Sequence, residues 1–462
     1  MKRAIIPLAI IVALTGCGEK AKQDITAEEG PDPTLLPEVH HLVPTVSIAK
    51  IVGWKDNEAP TPATGLKVNA FARGLDHPRW LLALPNGDVL VAETNTPPKP
   101  DDNPGIKGSI TEMFMKKAGA GAPSANRITL LRDTDGDGVA DQRTVFLSGL
   151  NSPFGMALVG DTLYVADTDA LLAFPYKTGE TRIAAKPRKV TDLPAGTINH
   201  HWTKNVIASP DGSKLYVTIG SNSNVDERGI AAEKDRAQIW EVDPKTGAHK
   251  TYAAGIRNPN GMAWTPDGML WTVSNERDEL GSDLVPDYLT SVPPGSFYGW
   301  PWRYWGDHVD KRVKDPAPDY IDDTRKPDYA LGAHTASLGL AFADGAKLGP
   351  TFAHGAFIGQ HGSWNRKPPS GYKVVFVPFG KHVGDICDTP PCPAPDMSSP
   401  SGAKPVDVLT GFLSPDGEET HGRPVGVTIA KDGALLVADD GGNAIWRVTS
   451  ATPAGPTASP KR

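Results

Sequence analysis

The stretch NSPFGMALVGDTLYVADT, Asn151–Thr168, sets a turn residue and a proline ahead of a small residue, then a short apolar run, a Gly-Asp turn and a second apolar run. Two β-rich runs around a tight turn read as a hairpin. The same order returns in DHPRWLLALPNGDVLVAE (76–93), HHWTKNVIASPDGSKLYVTIG (200–220), RNPNGMAWTPDGMLWTVSNE (257–276), TASLGLAFADGAKLGPTFAHGAFIGQHG (335–362) and GRPVGVTIAKDGALLVADD (422–440). These are six copies, the fifth the most degenerate. Spacings of roughly 50 to 90 residues leave room for two more strands and a loop in each unit. A four-stranded unit repeated radially is a propeller blade, so the chain is expected to be an all-β, six-bladed β-propeller. Helical periodicity is nearly absent, and the 48 glycines and 44 prolines suit short strands joined by tight turns. Residues 95–130, 280–330 and 380–405 are expected as long insertions between strands.

The ends have a different character. MKR followed by AIIPLAIIVAL is a basic start and an apolar run too short to span a bilayer comfortably, and LTGC (14–17) looks like a bacterial lipobox. Cys17 is therefore expected to be lipidated, with residues 1–17 as the export signal. Residues 18–45 are polar and proline-punctuated and read as a flexible tether, 46–450 as the propeller, and 451–462 as a disordered tail. Gly18 lacks the aspartate associated with inner-membrane retention, which points to an anchored protein on the periplasmic side of the outer membrane. The other two cysteines, Cys387 and Cys392 in CDTPPC, most simply form a local disulfide in an exported protein. The formal charge of −7, with acids and bases interspersed over 462 residues, excludes the basic stripe of a nucleic-acid binder.

In a propeller the innermost strands line the axial channel, so polar residues at their starts face a common cavity. Here those starts carry Arg79, Gly155, His200 and His201, Asn258 and Arg423. Imidazole can take a hydroxyl proton as hydride leaves a carbinol carbon, and fixed cations can stabilise the charge that develops. An independent signal is DTDGDGVAD, which places Asp133, Asp135, Asp137 and Asp141 as in the first nine positions of an EF-hand loop, although position twelve is Thr144. A partial, structural calcium site is expected there. The aromatic run YGWPWRYWGD (298–307) suits either packing or stacking on a sugar face.

HHWTKNVIASPDGSKLYVTIG, GIRNPNGMAWTPDG (255–268), SNERDELGSDLVPDY (274–288) and GSFYGWPW (295–302), in that order, resemble the quinoprotein sugar dehydrogenases, the family of soluble glucose dehydrogenase and the sorbosone or pyranose dehydrogenases. The resemblance covers residues 65–450 and implies a six-bladed propeller that uses pyrroloquinoline quinone and calcium. It places the catalytic histidine at His201, with no counterpart for His200. It sets Arg257 and Asn258 over the quinone, Arg423 and, from its loop, Arg366 on the cofactor, and calcium at the backbone carbonyls of Glu276 and Arg277. Val425 stands where the family has a second carboxylate-binding arginine, and Ser221 where glucose-specific members have the aspartate that orients the histidine; Asp226 is one candidate to replace it. The implied reaction is oxidation of an aldose or sugar-derived aldehyde, with electrons passed to an acceptor such as a cytochrome c or a quinone. A calcium-dependent propeller lactonase or esterase and a non-enzymatic binding propeller are the alternatives.

Overall fold

The computed structural model describes residues 19–40, 45–102, 123–380 and 398–452. Six sheets of four or five strands stand around an axis as a six-bladed β-propeller. From the inside outward, blade 1 is Pro78–Ala83, Val89–Glu93, Arg127–Arg132 and Gln142–Ser148, and blade 2 is Met156–Val159, Thr162–Ala166, Ala170–Pro175 and Arg188–Asp192. Blade 3 is Val206–Ala208, Leu215–Ile219, Gln238–Val242 and His249–Ala254, and blade 4 is Pro259–Trp264, Leu270–Ser274, Pro286–Ser291 and Tyr329–Ala333. Blade 5 is Ser337–Phe342, Gly355–Gln360, Lys373–Pro378 and Val406–Thr410. Each repeated hairpin of the sequence forms the two inner strands of one blade.

Blade 6 closes the ring. Its inner three strands, Pro424–Ile429, Leu435–Asp439 and Ala444–Ser450, come from the end of the chain, and its outer strand, Leu66–Arg73, comes from the beginning. The two ends pair antiparallel from Ala444 opposite Arg73 to Ser450 opposite Leu66. Backbone hydrogen bonds along this seam do the work that a covalent link would do in a closed ring.

Near the axis the blades touch through glycines at one register of the inner strand. A Cβ on Gly155 would lie 2.3 Å from the Val206 amide of blade 3, and one on Gly339 would lie 2.1 Å from the Val425 carbonyl of blade 6. Gly261 and Gly426 meet blades 5 and 1 in the same way. Further out the blades diverge and larger side chains fill the wedge; Trp271 of blade 4, for example, meets Phe379 of blade 5 edge-on at 5.0 Å.

Two expectations change. The insertion placed at 280–330 contains the third strand of blade 4, Pro286–Ser291, so the long loop runs only between that strand and Tyr329–Ala333. Residues 19–40, read as a flexible tether, lie on the propeller: Ile25–Glu28 forms a 3-10 turn and Glu29–Gly30 pairs with the outer strand of blade 4. Their polar composition misleads because Glu28 and Glu29 are buried, and the buried Glu28 is paired with Arg366.

If axial contact sets the need for glycine, Gly339→Ala should cost on the order of 3 kcal/mol. Gly160→Ala is the control: its Cβ meets nothing within 4 Å, and its φ of +54° makes the expected loss about 1 kcal/mol. Denaturant midpoints of the two variants check this, and equal losses would contradict it.

Candidate active site at the axial mouth

Inner strands start, and second strands end, at the same end of every antiparallel hairpin. His77 and Arg79, His201, Arg257 and Asn258, and Arg423 therefore gather with Ser221, Glu276, His361 and Asp440 at one mouth. Gly220 shows how close blades 3 and 4 come: a Cβ there would sit 2.5 Å from both Asn258 Oδ1 and His201 Cβ.

His201 has a fixed tautomer. Its Nδ1 lies 3.0 Å from both the carbonyl and the hydroxyl oxygen of Ser221, and that hydroxyl donates to the Ser223 carbonyl at 2.7 Å. Ser221 thus presents acceptors, Nδ1 carries the hydrogen and Nε2 keeps its lone pair. Burial, reinforced by the charge of Arg257, holds the imidazole well below its ordinary value, so it is neutral at pH 7. Ser221, not Asp226, orients the ring.

Arg257 is 1% exposed and uses its whole fork. Nε donates to the Asn224 carbonyl, one terminal nitrogen to Asn275 and the Glu276 carbonyl, and the other to Asn224 Oδ1 and, at 3.1 Å, to Asp278 Oδ2. Burial raises the Asp278 carboxyl, but the Arg257 charge and bonds from His334 and Asn365 bring it down to about 2. Beside Arg257, the buried Asn258 Oδ1 has no hydrogen-bond partner among the described residues and packs against Gly220.

A second group surrounds the buried Asp440. His361 Nε2 is 2.9 Å away, Arg79 3.4 Å and His77 3.8 Å. Arg423 donates to the carbonyls of His361 and Gly362 and lies over the Tyr372 ring. Burial and the charge of Arg423 push His361 down to about 3. With both histidines neutral, Arg79 and Arg423 outweigh Asp440 and leave a net positive patch suited to a carboxylate ligand. The segment 361–366 joins the two groups, since Asn365 donates to Asp278 at 2.7 Å.

His77, His361 and Asp440 were missed by the sequence reading. The signal was present: two of the second strands end on an acid, Glu93 and Asp439, a third is followed by Asp167, and Asp440 comes directly after Asp439. Asp102, in the blade 1 loop, was missed as well. It sits 2.9 Å from His200 Nδ1 and 2.8 Å from Lys99, and the His200 ring meets His201 edge-on at 4.7 Å.

Other expected site residues divide. The Glu276 carbonyl accepts from Arg257 at 2.7 Å and has a second lone pair for a cation, while the Glu276 carboxylate is taken by Arg277. The Arg277 guanidinium is buried against Asp310 and the carbonyls of Pro301 and Arg303, so only its backbone could serve a cation. Arg366 is a correction: its guanidinium binds the buried Glu28 at 2.9 Å, because that carboxylate needs a cation, and is not offered to the mouth. Trp300, Tyr304 and Trp305 are buried and pack beneath the blade 4 loop.

In the EF-hand-like loop, carboxylate oxygens of Asp133, Asp135 and Asp141 lie within 4.8 Å of one another, the one such acidic or histidine cluster among the described residues. Asp137 is turned away and accepts from the Val139 amide, and Thr144 hydrogen-bonds the Thr181 carbonyl. Cys17, Cys387 and Cys392 lie outside the described residues.

A family model described as TrAA12-like matches residues 118–291 and 315–451. A pyrroloquinoline quinone-dependent pyranose dehydrogenase of Coprinopsis cinerea is 27% identical over 284 residues, which are 51% of this chain and 38% of that protein, well under two thirds of its length. The holo structure of the Coprinopsis cinerea pyranose dehydrogenase PQQ domain superposes with a TM-score of 0.64 at 20% identity, covering 87% of this chain and all of that domain. A calcium structure of the Trichoderma reesei family AA12 enzyme gives 0.65 at 20% identity, over 85% and 97% of the two chains.

Nitrogen-15 spectra of the imidazoles should show His201 neutral and protonated on Nδ1 at pH 6.5, charging only at lower pH. An imidazolium at that pH would contradict the site described.

Proposed function

This chain belongs to the TrAA12-like family, and on that premise we propose that it is a pyrroloquinoline quinone-dependent dehydrogenase of aldoses or sugar-derived aldehydes. The observation that carries the reading is His201, a half-buried, neutral imidazole beside Arg257 and Asn258 whose Nε2 lone pair is uncommitted among the described residues. The quinone-dependent relative and the shared propeller support it.

The residues present fit the cofactor. Its carboxylates suit the positive patch of Arg79 and Arg423. Backbone carbonyls of Glu276 and Arg277 are hard oxygen ligands of the type calcium takes. When bound, the quinone supplies the acceptor for the hydride that leaves the carbinol carbon.

The chain's own part is proton and charge management. His201 Nε2 accepts the hydroxyl proton of the sugar, and Ser221 accepts the hydrogen bond from the resulting imidazolium Nδ1 in place of the carboxylate found in glucose-specific enzymes. Arg257, locked by its hydrogen bonds, presents a fixed positive field where negative charge develops and undergoes no reorganisation during the reaction. Electrons then pass to an acceptor such as a cytochrome c or a membrane quinone. Export and lipidation at Cys17 belong to the same proposal, as does structural calcium held by Asp133, Asp135 and Asp141.

Dye reduction by the purified protein, across a panel of aldoses and aldehydes, should require both the quinone and calcium. His201→Ala should lower kcat/KM by about 10²- to 10⁴-fold. In the wild type the rate should stay level as pH falls to 6.5 and decline only below it, because the folded pKa of His201 is depressed. Activity without the quinone, or an unimpaired His201→Ala, would contradict the assignment. Cys17→Ser should move the protein from the membrane to the soluble fraction; unchanged fractionation would contradict the anchor.

A further inference from the structure

Behind Arg257 a chain of contacts runs back to the segment that precedes the propeller. Asp278 holds Arg257 through Oδ2, and its Oδ1 is held in turn by two groups. Asn365 Nδ2 donates to it at 2.7 Å, and His334 Nδ1 lies 3.5 Å away, with His334 Nε2 fixed 2.9 Å from the Gly281 carbonyl.

Glu28 grips the residue next to each of those two groups. One carboxylate oxygen accepts from the Ala333 amide at 2.9 Å, beside His334. The other accepts from the Arg366 guanidinium at 2.9 Å, beside Asn365. Glu28 is fully buried, and its neighbours on the segment are tied to the same loops. The amides of Lys22 and Gln23 donate to Asp283, Ala21 donates to the Lys367 carbonyl, and Val39 donates to the Leu280 carbonyl. Ile25 fills the space in front of Gly332, where a Cβ would come within 2.8 Å of it. Residues 19–40 thus lie across both loops that supply Arg257 with its supports.

We propose that Glu28 is a positioning residue for the active site: docking of residues 19–40 fixes His334 and Asn365, these fix Asp278, and Asp278 fixes Arg257. The inference rests on the reading of Arg257 as a cofactor contact. It gives the leading segment a catalytic consequence, because an arginine that acts as a preorganised charge depends on the shell that immobilises it.

The test is a double-mutant cycle read by equilibrium binding of pyrroloquinoline quinone to the full-length protein, followed by fluorescence well below the melting temperature of each variant. Arg257→Ala should weaken binding, and Glu28→Ala should weaken it about tenfold, an ordinary coupling between groups of one network. In the Arg257→Ala background, Glu28→Ala should have little further effect, which a loss of general stability would not produce. If Glu28→Ala does not fold, Glu28→Gln and Asn365→Ala carry the same cycle. Wild-type binding by the Glu28 variant, or a loss that persists undiminished without Arg257, overturns this inference and leaves the cofactor reading standing. Wild-type binding by Arg257→Ala overturns both.

Discussion

Closure of the ring by the pairing of Leu66–Arg73 with Ala444–Ser450 is the constraint on which everything else depends. Six inner strands converge only if the ends of the chain meet, and at Gly155, Gly261, Gly339 and Gly426 glycine lets the backbones of neighbouring blades approach at the axis. The mouth has no residues of its own in any one blade. His201 comes from blade 3, Arg257 from blade 4, His361 from blade 5, Arg423 from blade 6 and Arg79 from blade 1. An open ring would leave five separate polar strand ends in water.

Charge is handled differently in the two halves of the mouth. Around Arg257 every donor is matched, so the guanidinium is rigid and its field is directed by the backbone of blades 3 and 4. Around Asp440 one arginine and two histidines share the carboxylate while Arg423 is held by backbone carbonyls beside them, which leaves positive charge in excess. The first arrangement suits stabilisation of charge as it appears, and the second suits permanent anionic groups on a ligand. Burial first, and then the charge of Arg257, keep His201 neutral and able to accept a proton.

The fold was legible because its determinants are local. A tight turn and the apolar runs beside it fall within one hairpin, and six copies make the pattern hard to miss. His201, Asn258 and Arg423 were legible through the register of those copies, and Arg257 through the family resemblance. What escaped notice depends on contacts between distant parts of the chain: His361 with Asp440 spans 79 residues, His200 with Asp102 spans 98, and Arg366 with Glu28 spans 338. Glu28 could not be found from composition, since a buried acid in a proline-rich segment looks like any solvated one until its arginine is located. Arg366 was misassigned for the same reason, its basic character being visible and its partner not.

The central claim is that this mouth holds the quinone against His201 and Arg257, and a structure determined with pyrroloquinoline quinone bound tests it most directly. The account requires density for the cofactor between Arg257 and Asn258 on one side and Arg79 and Arg423 on the other, with His201 Nε2 facing the space left for a sugar. Quinone bound elsewhere on the propeller, or a mouth that stays empty at saturating quinone, would contradict it.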